Sequence, residues 1–284
     1  MIALEIPARP PYLGMVRLIV GSLATDAGLS FERGQDLRLA VTEGVTAAME
    51  GAVDGATVRL RMRETESLFE VGIGSDALTP EAISAAGVRR PLLEALCDEV
   101  SVSGVDGLSE LHLSVRSSAT ELEADGELET SASPPVQYFP PSSPGDAGWP
   151  ERPVAIDSPA LVVSGERVLL KLPAAPESVA IARLAASAMA SRMGFTVDEV
   201  QDLRIAVSEL CSVLFGDDGG TGRLELEYAA GPGVLEVTGW GGERPRQLSQ
   251  LSEQIVSFLA DAYETGTAPD GRGLFRLTKR GGSA

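Results

Sequence analysis

Two glutamates stand where a general base could stand. Glu43 closes the run Gln35-Asp36-Leu37-Arg38-Leu39-Ala40-Val41-Thr42-Glu43, and Glu209 closes Gln201-Asp202-Leu203-Arg204-Ile205-Ala206-Val207-Ser208-Glu209. A carboxylate on a helix can take a proton from an attacking hydroxyl when its surroundings suit that task. The plainer role is a solvated charge, or the partner of a nearby arginine. Other chemistry is sparse. Cys97 and Cys211 sit in helix-like apolar patterns without a second cysteine or histidine nearby, which fits buried thiols better than ligands or nucleophiles. His112 is the single histidine, and its leucine neighbours Leu111 and Leu113 place it on the opposite face of a strand, so a Ser-His-Asp or Cys-His site has nothing to be built from. Asp217-Asp218-Gly219-Gly220-Thr221-Gly222 lacks the alternating carboxylates and closing glutamate of a calcium loop and reads as a turn. No metal site is expected.

The two glutamate runs belong to a longer repeat. Residues 7–43 and 173–209 align without a gap at an offset of 166 positions (203 − 37), with roughly 14 of 37 positions identical. Pro7, Arg17, Leu18 and Gly28 meet Pro173, Arg183, Leu184 and Gly194 at that offset. A chain of 284 residues has room for two such units, each able to bury a core. The expected organisation is a first domain over 1–116, a linker rich in Pro, Ser and acidic residues over 117–159, and a second domain over 160–284. The linker is too polar to bury a core of its own, and Val136, Tyr138, Phe139 and Trp149 within it are expected to pin it loosely to its own domain, the alternative being a docking motif.

Within each half the patterns recur in one order. An opening strand ends in proline at Pro7 and Pro173, and a first helix around Arg17 and Arg183 stops near Gly28 and Gly194. The nine-residue motif opens a second helix. Two strands follow, 57–63 with 68–73 and 223–228 with 234–238, then a third helix over 91–99 or 251–263, and a last strand over 110–115 or 274–278. The expected fold class is α+β, a two-layer α/β sandwich with helices on one face of a mixed sheet, present twice in tandem.

Leu-Arg-x-Ala-Val-[Thr/Ser]-Glu, after a strand-proline and an arginine-bearing helix, resembles the N-box of the small serine kinases that act as anti-sigma factors, the RsbW type. These belong to the histidine-kinase-like ATPases of the Bergerat fold. Ala95-Leu96-Cys97-Asp98-Glu99-Val100 and Phe258-Leu259-Ala260-Asp261-Ala262-Tyr263-Glu264 resemble that family's penultimate helix. The resemblance implies that Glu43 and Glu209 match the glutamate that activates the attacking hydroxyl. It implies an asparagine one turn later to hold the magnesium ion, but Ala47 and Val213 occupy those places and neither can ligate a metal. It implies an aspartate for the adenine amino group at the end of the next strand, where Gly74 and Gly239 stand in Ile73-Gly74-Ser75-Asp76 and Thr238-Gly239-Trp240-Gly241-Gly242. The phosphate-binding lid is reduced to Gly87-Val88-Arg89-Arg90-Pro91 in the first half, and no glycine lies between Arg244 and Leu251 in the second.

What the resemblance implies is therefore a pseudokinase: an anti-sigma-factor-like, protein-binding regulator of bacterial transcription with no catalytic residue in use, Glu43 and Glu209 being vestigial, and no bound cofactor. The alternatives are an active ATP-dependent serine/threonine kinase, using Mg-ATP with Glu43 and Asp76, and a scaffold module of another signalling complex. The expected partners are a sigma factor or an anti-sigma-factor antagonist, with the two repeats packed as an internal pseudo-dimer. A formal charge of −18 disfavours nucleic acid and anionic membranes. No apolar run reaches spanning length, and a cytoplasmic home is expected.

Overall fold

The computed structural model describes residues 1–65, 67–79, 82–83, 88–105, 108–117, 165–215, 222–242 and 246–281. The linker beyond Ser117, its aromatic residues and the Asp217–Thr221 turn lie outside them. The elements run β1 (Ile2–Pro7), a 3-10 turn (Pro10–Tyr12), α1 (Leu13–Asp26), α2 (Phe31–Met49), β2 (Thr57–Glu64), β3 (Leu68–Ser75), α3 (Arg89–Leu96), β4 (Glu99–Val105) and β5 (Leu108–Arg116). They continue with β6 (Glu166–Pro173), α4 (Ser178–Arg192), α5 (Val197–Val213), β7 (Arg223–Gly231), β8 (Val234–Gly241), α6 (Gln250–Leu259), β9 (Ala262–Thr267) and β10 (Gly273–Arg280). The strands form one sheet in the order β4-β5-β3-β2-β1-β6-β7-β8-β10-β9.

Helix starts and stops follow local chemistry. Ser30 caps α2 by accepting the Arg33 N–H, and Thr196 with Glu199 forms a full capping box on α5, so both helices begin four or five residues before the repeated motif. Gly28 and Gly194 terminate the preceding helices with φ of 71° and 82°, which side-chain-bearing residues seldom adopt. Leu37, Ala40, Val41 and Ala48 of α2 and Leu203, Ala206, Val207 and Leu210 of α5 are buried. They pack on strand residues that alternate inward, Leu4, Leu60, Val71 and Leu113 in one half and Leu170, Leu226, Val237 and Leu277 in the other. On the opposite sheet face the intervening positions carry cross-strand ion pairs such as Arg59–Glu5 (3.3 Å), Arg63–Glu70 (2.7 Å) and Lys171–Glu225 (3.2 Å).

Two expectations need correction. The sheet is not mixed, because every recorded strand pair is antiparallel. The third helix of each half is also shorter than its apolar content suggested: it stops at Leu96 or Leu259, and what resembled its end turns into an edge strand. An aspartate makes each corner. The Asp98 N–H donates to the Ser114 carbonyl (2.9 Å) and its carboxylate accepts the Arg116 N–H (2.8 Å); Asp261 does the same with Thr278 (3.1 Å) and Arg280 (2.7 Å). Val100 and Val102 then alternate with Ser101 and Ser103, a period of two that a helix cannot use.

The middle of the sheet joins the two halves. β1 and β6 pair antiparallel with Leu4 opposite Leu170, and Ala3 and Glu5 opposite Lys171 and Leu169. Beside this seam the Glu166 carboxylate accepts the Tyr12 hydroxyl (2.6 Å) and pairs with Arg192 (2.6 Å) and Arg9, while the Arg192 guanidinium lies 4.5 Å from the Tyr12 ring centre. Burial works to raise the Glu166 carboxyl, but the Tyr12 hydrogen bond and the charges of Arg192 and Arg9 outweigh it and hold the group below its ordinary value. A carboxylate depressed by folding contributes stability above its unfolded pKa of about 4.3 and loses it as pH falls through the folded value. Glu166→Gln should cost about 1–2 kcal/mol at pH 7 in urea unfolding. The gap from the parent chain should narrow as pH drops below about 4.

Candidate functional site

The glutamate-bearing helix α2 lies over β3 and β5 and its counterpart α5 over β10, and the site that sequence analysis singles out lies between each helix and the sheet. Glu43 is partly exposed on α2 and has a cation beside it: Arg89, from the start of α3, places its Nε 3.9 Å from Glu43. The same guanidinium grips Glu50 through both nitrogens (2.6 and 3.1 Å) and donates to the Ala82 carbonyl (2.8 Å). The Arg89 side chain is only 9% exposed and lies down on the glutamate helix. The Arg89 hydrogen bond holds the Glu50 carboxyl below its ordinary range. Sequence analysis named Arg89 only as part of the reduced lid; a cation two residues before Pro91, at the start of the third helix, was the available signal.

Ala47, one turn beyond Glu43, is fully buried, and Val213, one turn beyond Glu209, is 2% exposed. The carbonyl of Val213 is taken by the Arg246 N–H (2.9 Å). The two strand-end glycines do not occupy equivalent places. Gly74 lies opposite Arg59, and the residue that matches it in the second half is Trp240, opposite Glu225. Gly239 instead matches Ile73, on the face toward the helices. A Cβ on Gly74 would meet little, the Ser109 carbonyl at 3.8 Å. A Cβ on Gly239 would come within 2.4 Å of the Phe275 ring and 3.0 Å of Leu214. Asp76, which follows the first-half strand, is exposed.

The space between helix and strand end is filled in both halves by different residues. In the first half Gly44 of α2 leaves room for Ile73 and Leu111, whose methyls lie 2.7 and 2.8 Å from where a Gly44 Cβ would stand. In the second half the matching positions are Leu210, Gly239 and Phe275. The small residue has moved from helix to strand, and the large ones have moved to fill in behind it. Ile73, Leu111, Leu210 and Phe275 are all at 0% exposure.

The remaining candidates are structural in their surroundings. Burial pushes the Cys97 and Cys211 thiols up to about 12, which leaves both as inert thiols at neutral pH. His112 points away from Leu111 and Leu113, as its alternation predicts, and shares a 2.8 Å hydrogen bond with Ser103. Arg17 and Arg183 reach Thr42 (3.1 Å) and Ser208 (3.5 Å) on the neighbouring helix, while Arg38 and Arg204 reach Gln35 (3.3 Å) and Gln201 (3.4 Å) on their own. Among the described residues no cluster of His, Cys, Asp and Glu has the make-up of a metal site. No helix among them is long and apolar enough to cross a membrane.

Comparison with known proteins finds RsbW serine-protein kinases among its matches. The chain is 41% identical over 113 residues to serine-protein kinase RsbW of Bacillus pumilus, covering 38% of this chain and 70% of that protein. It is 53% identical over 77 residues to the RsbW of Bacillus velezensis, spanning 26% of this chain and 48% of the relative. It is 30% identical over 121 residues to that of Halalkalibacterium halodurans, 41% of this chain and 66% of the relative. The chain therefore spans about half to seven-tenths of the length of these relatives. No protein-family model matches it.

The packing at Gly239 gives a direct expectation. Gly239→Ala forces the Phe275 ring to move and should cost about 1–3 kcal/mol in urea unfolding. Adding Phe275→Leu should recover part of that loss, since the shorter side chain vacates the volume the new methyl needs.

Proposed function

The chain belongs to the RsbW family of serine-protein kinases, and from that membership we propose that it is a tandem, degenerate member that regulates by binding protein and no longer by phosphorylating it. In this reading residues 1–116 and 160–284 are two copies of one histidine-kinase-like domain, each a two-layer sandwich, and they associate as an internal pseudo-dimer in a bacterial cytoplasm. The register supports it: Leu4 faces Leu170, its own counterpart at the repeat offset (170 − 4 = 166), which is what strands related by a two-fold require. The strand order supports it too, since β4-β5-β3-β2-β1 is answered in mirror order by β6-β7-β8-β10-β9.

The observation that carries the loss of nucleotide chemistry is the filled space behind the glutamate helix. Had only one residue changed, an empty pocket could remain. Here Gly44, Ile73 and Leu111 in one half and Leu210, Gly239 and Phe275 in the other reach the same closed packing by different substitutions. Ala47 and Val213 offer no oxygen for magnesium. Glu43 and Glu209 are then vestigial, and Arg89 serves as the internal counter-ion of Glu43. Without a metal to neutralise phosphate charge, a carboxylate alone provides little phosphoryl-transfer catalysis.

Calorimetric titration with Mg-ATP should give no heat of binding. A dissociation constant in the low micromolar range, about −8 kcal/mol, would establish the active-kinase alternative in place of this one. The double variant Ala47→Asn with Gly74→Asp should also fail to bind, because neither side chain reopens the volume held by Ile73 and Leu111.

The protein partner is proposed to be a sigma factor or an antagonist of anti-sigma factors. A chain of charge −18 favours encounter with a basic surface. Association with a partner recovered from the native host should slow markedly between about 0.05 and 0.5 M salt while dissociation changes less. Recovery of no sigma factor or antagonist-like protein would remove the anti-sigma assignment.

A further inference from the structure

The third helices of the two halves correspond residue by residue but are held in place differently. Asp98 and Asp261 make the same corner, and at that offset of 163 positions (261 − 98) α3 aligns with α6, Leu93 and Val256 both being fully buried. α3 has no side-chain cap and is tied to α2 by Arg89, the cation of Glu43 and Glu50. Ser252 stands at the matching place in α6. Its hydroxyl lies 2.8 Å from that of Ser249, whose oxygen caps the helix by accepting the Ser252 N–H (3.0 Å). α6 is thus started by its own cap and supplies no cation to α5.

Glu209 is left without the counter-ion that Glu43 has. Among the described residues no cation pairs with its partly exposed carboxylate, and the Ser212 hydroxyl bonds its backbone carbonyl instead. The residue after Ser252 changes sign as well, from Arg90 in the first half to Glu253 in the second. On the exposed side of the helix Val88 and Ala95 give way to Leu251 and Phe258, two turns apart on one face and 66% and 88% exposed. Phe258 is the most exposed large apolar side chain among the described residues. A leucine and a phenylalanine in water beside two carboxylates suit a segment that brings a cation together with apolar side chains. The first half shows the place such a cation takes, since Arg89 lies against Glu43 and Glu50 with its side chain covered.

We propose that the α5–α6 face of the second half receives a basic amphipathic segment of the protein partner. Its arginine or lysine sits on Glu209, in the place that Arg89 holds beside Glu43, and its apolar side chains cover Leu251 and Phe258. This docking rests on the reading of the chain as a protein-binding regulator, and it makes the two halves unequal. The first half supplies its own cation, so each chain takes one such segment. A basic occupant also suits a chain of charge −18.

Fluorescence anisotropy with the full chain tests it, using a labelled synthetic helix of about 15 residues with leucines on one face and arginines on the other. Glu209→Gln, Phe258→Ala and Ser252→Arg should each weaken binding about tenfold, the last because it rebuilds the internal cation of the first half. Glu43→Gln and Phe31→Ala are the controls and should leave the affinity unchanged, since Glu43 already has Arg89 and Phe31 is 80% exposed on α2. A peptide with glutamines in place of the arginines should bind about tenfold more weakly. Phe258→Ala and Ser252→Arg act at the surface of α6, so they decide the matter even if Glu209→Gln perturbs the fold. The docking is overturned if the arginine peptide does not bind at about 0.1 mM, if neither of those two variants weakens it, or if the controls weaken it equally. The wider reading fails by a different sign, a heat of Mg-ATP binding to the unaltered chain, so the two failures are told apart.

Discussion

The pairing of β1 with β6 is the constraint on which the rest of the molecule depends. Each half supplies five strands, and without this seam each would end in an exposed edge at β1 or β6, a template for unwanted association. Pairing the two edges buries Leu4 and Leu170 opposite one another and lets the helices of both halves pack along one face. The seam is close to symmetric in its backbone and asymmetric in its side chains. At the repeat offset Tyr12 and Arg192 correspond to Ser178 and Asp26, so the Tyr12–Glu166–Arg192 cluster has no mirror image across the sheet.

That arrangement explains how each half could change its interior and keep its outline. Gly44 with Ile73 and Leu111 in one half, and Leu210 with Gly239 and Phe275 in the other, fill the layer between helix and sheet with a different distribution of volume, which close packing tolerates better than its gain or loss. Arg89 adds a charge in the same spirit, standing by Glu43 with its other contacts on Glu50 and Ala82. The outer helix surface has not drifted in the same manner. Arg17, Arg38 and Gln35 recur as Arg183, Arg204 and Gln201 with the same hydrogen-bond roles. On the proposed reading, function is sought on that surface and not in the interior.

Much of the fold was legible in the sequence because it rests on local periodicity. The strand-prolines at Pro7 and Pro173, the helix-ending glycines and the gapless repeat placed both helix pairs and the β2–β3 and β7–β8 hairpins. The edge strands β4 and β9 were missed, since Cys97 and Ala260 continue an apolar helical pattern and only the backbone bonds of Asp98 and Asp261 to distant strands make the corner. Antiparallel pairing throughout was likewise invisible, being a property of contacts between distant segments. At the candidate site the residue types were legible at Ala47 and Val213, but the register was not. Gly74 and Gly239 look alike in sequence, yet one faces away from the helices and the other lies beneath Phe275. A shift of one residue in a strand reverses the face, and a single sequence gives no means of fixing it.

The central claim is that one continuous sheet, closed at its middle and packed solid beneath both glutamate helices, supports a binding surface without nucleotide. Amide hydrogen exchange of the intact chain, measured with and without millimolar Mg-ATP, tests both parts together. The account predicts that the β1 and β6 amides around Leu4 and Leu170 exchange only through global unfolding, and that ATP leaves α2, α5 and the ends of β3 and β8 unchanged. Faster local exchange at the seam, or nucleotide-dependent protection beside Glu43 or Glu209, would contradict it.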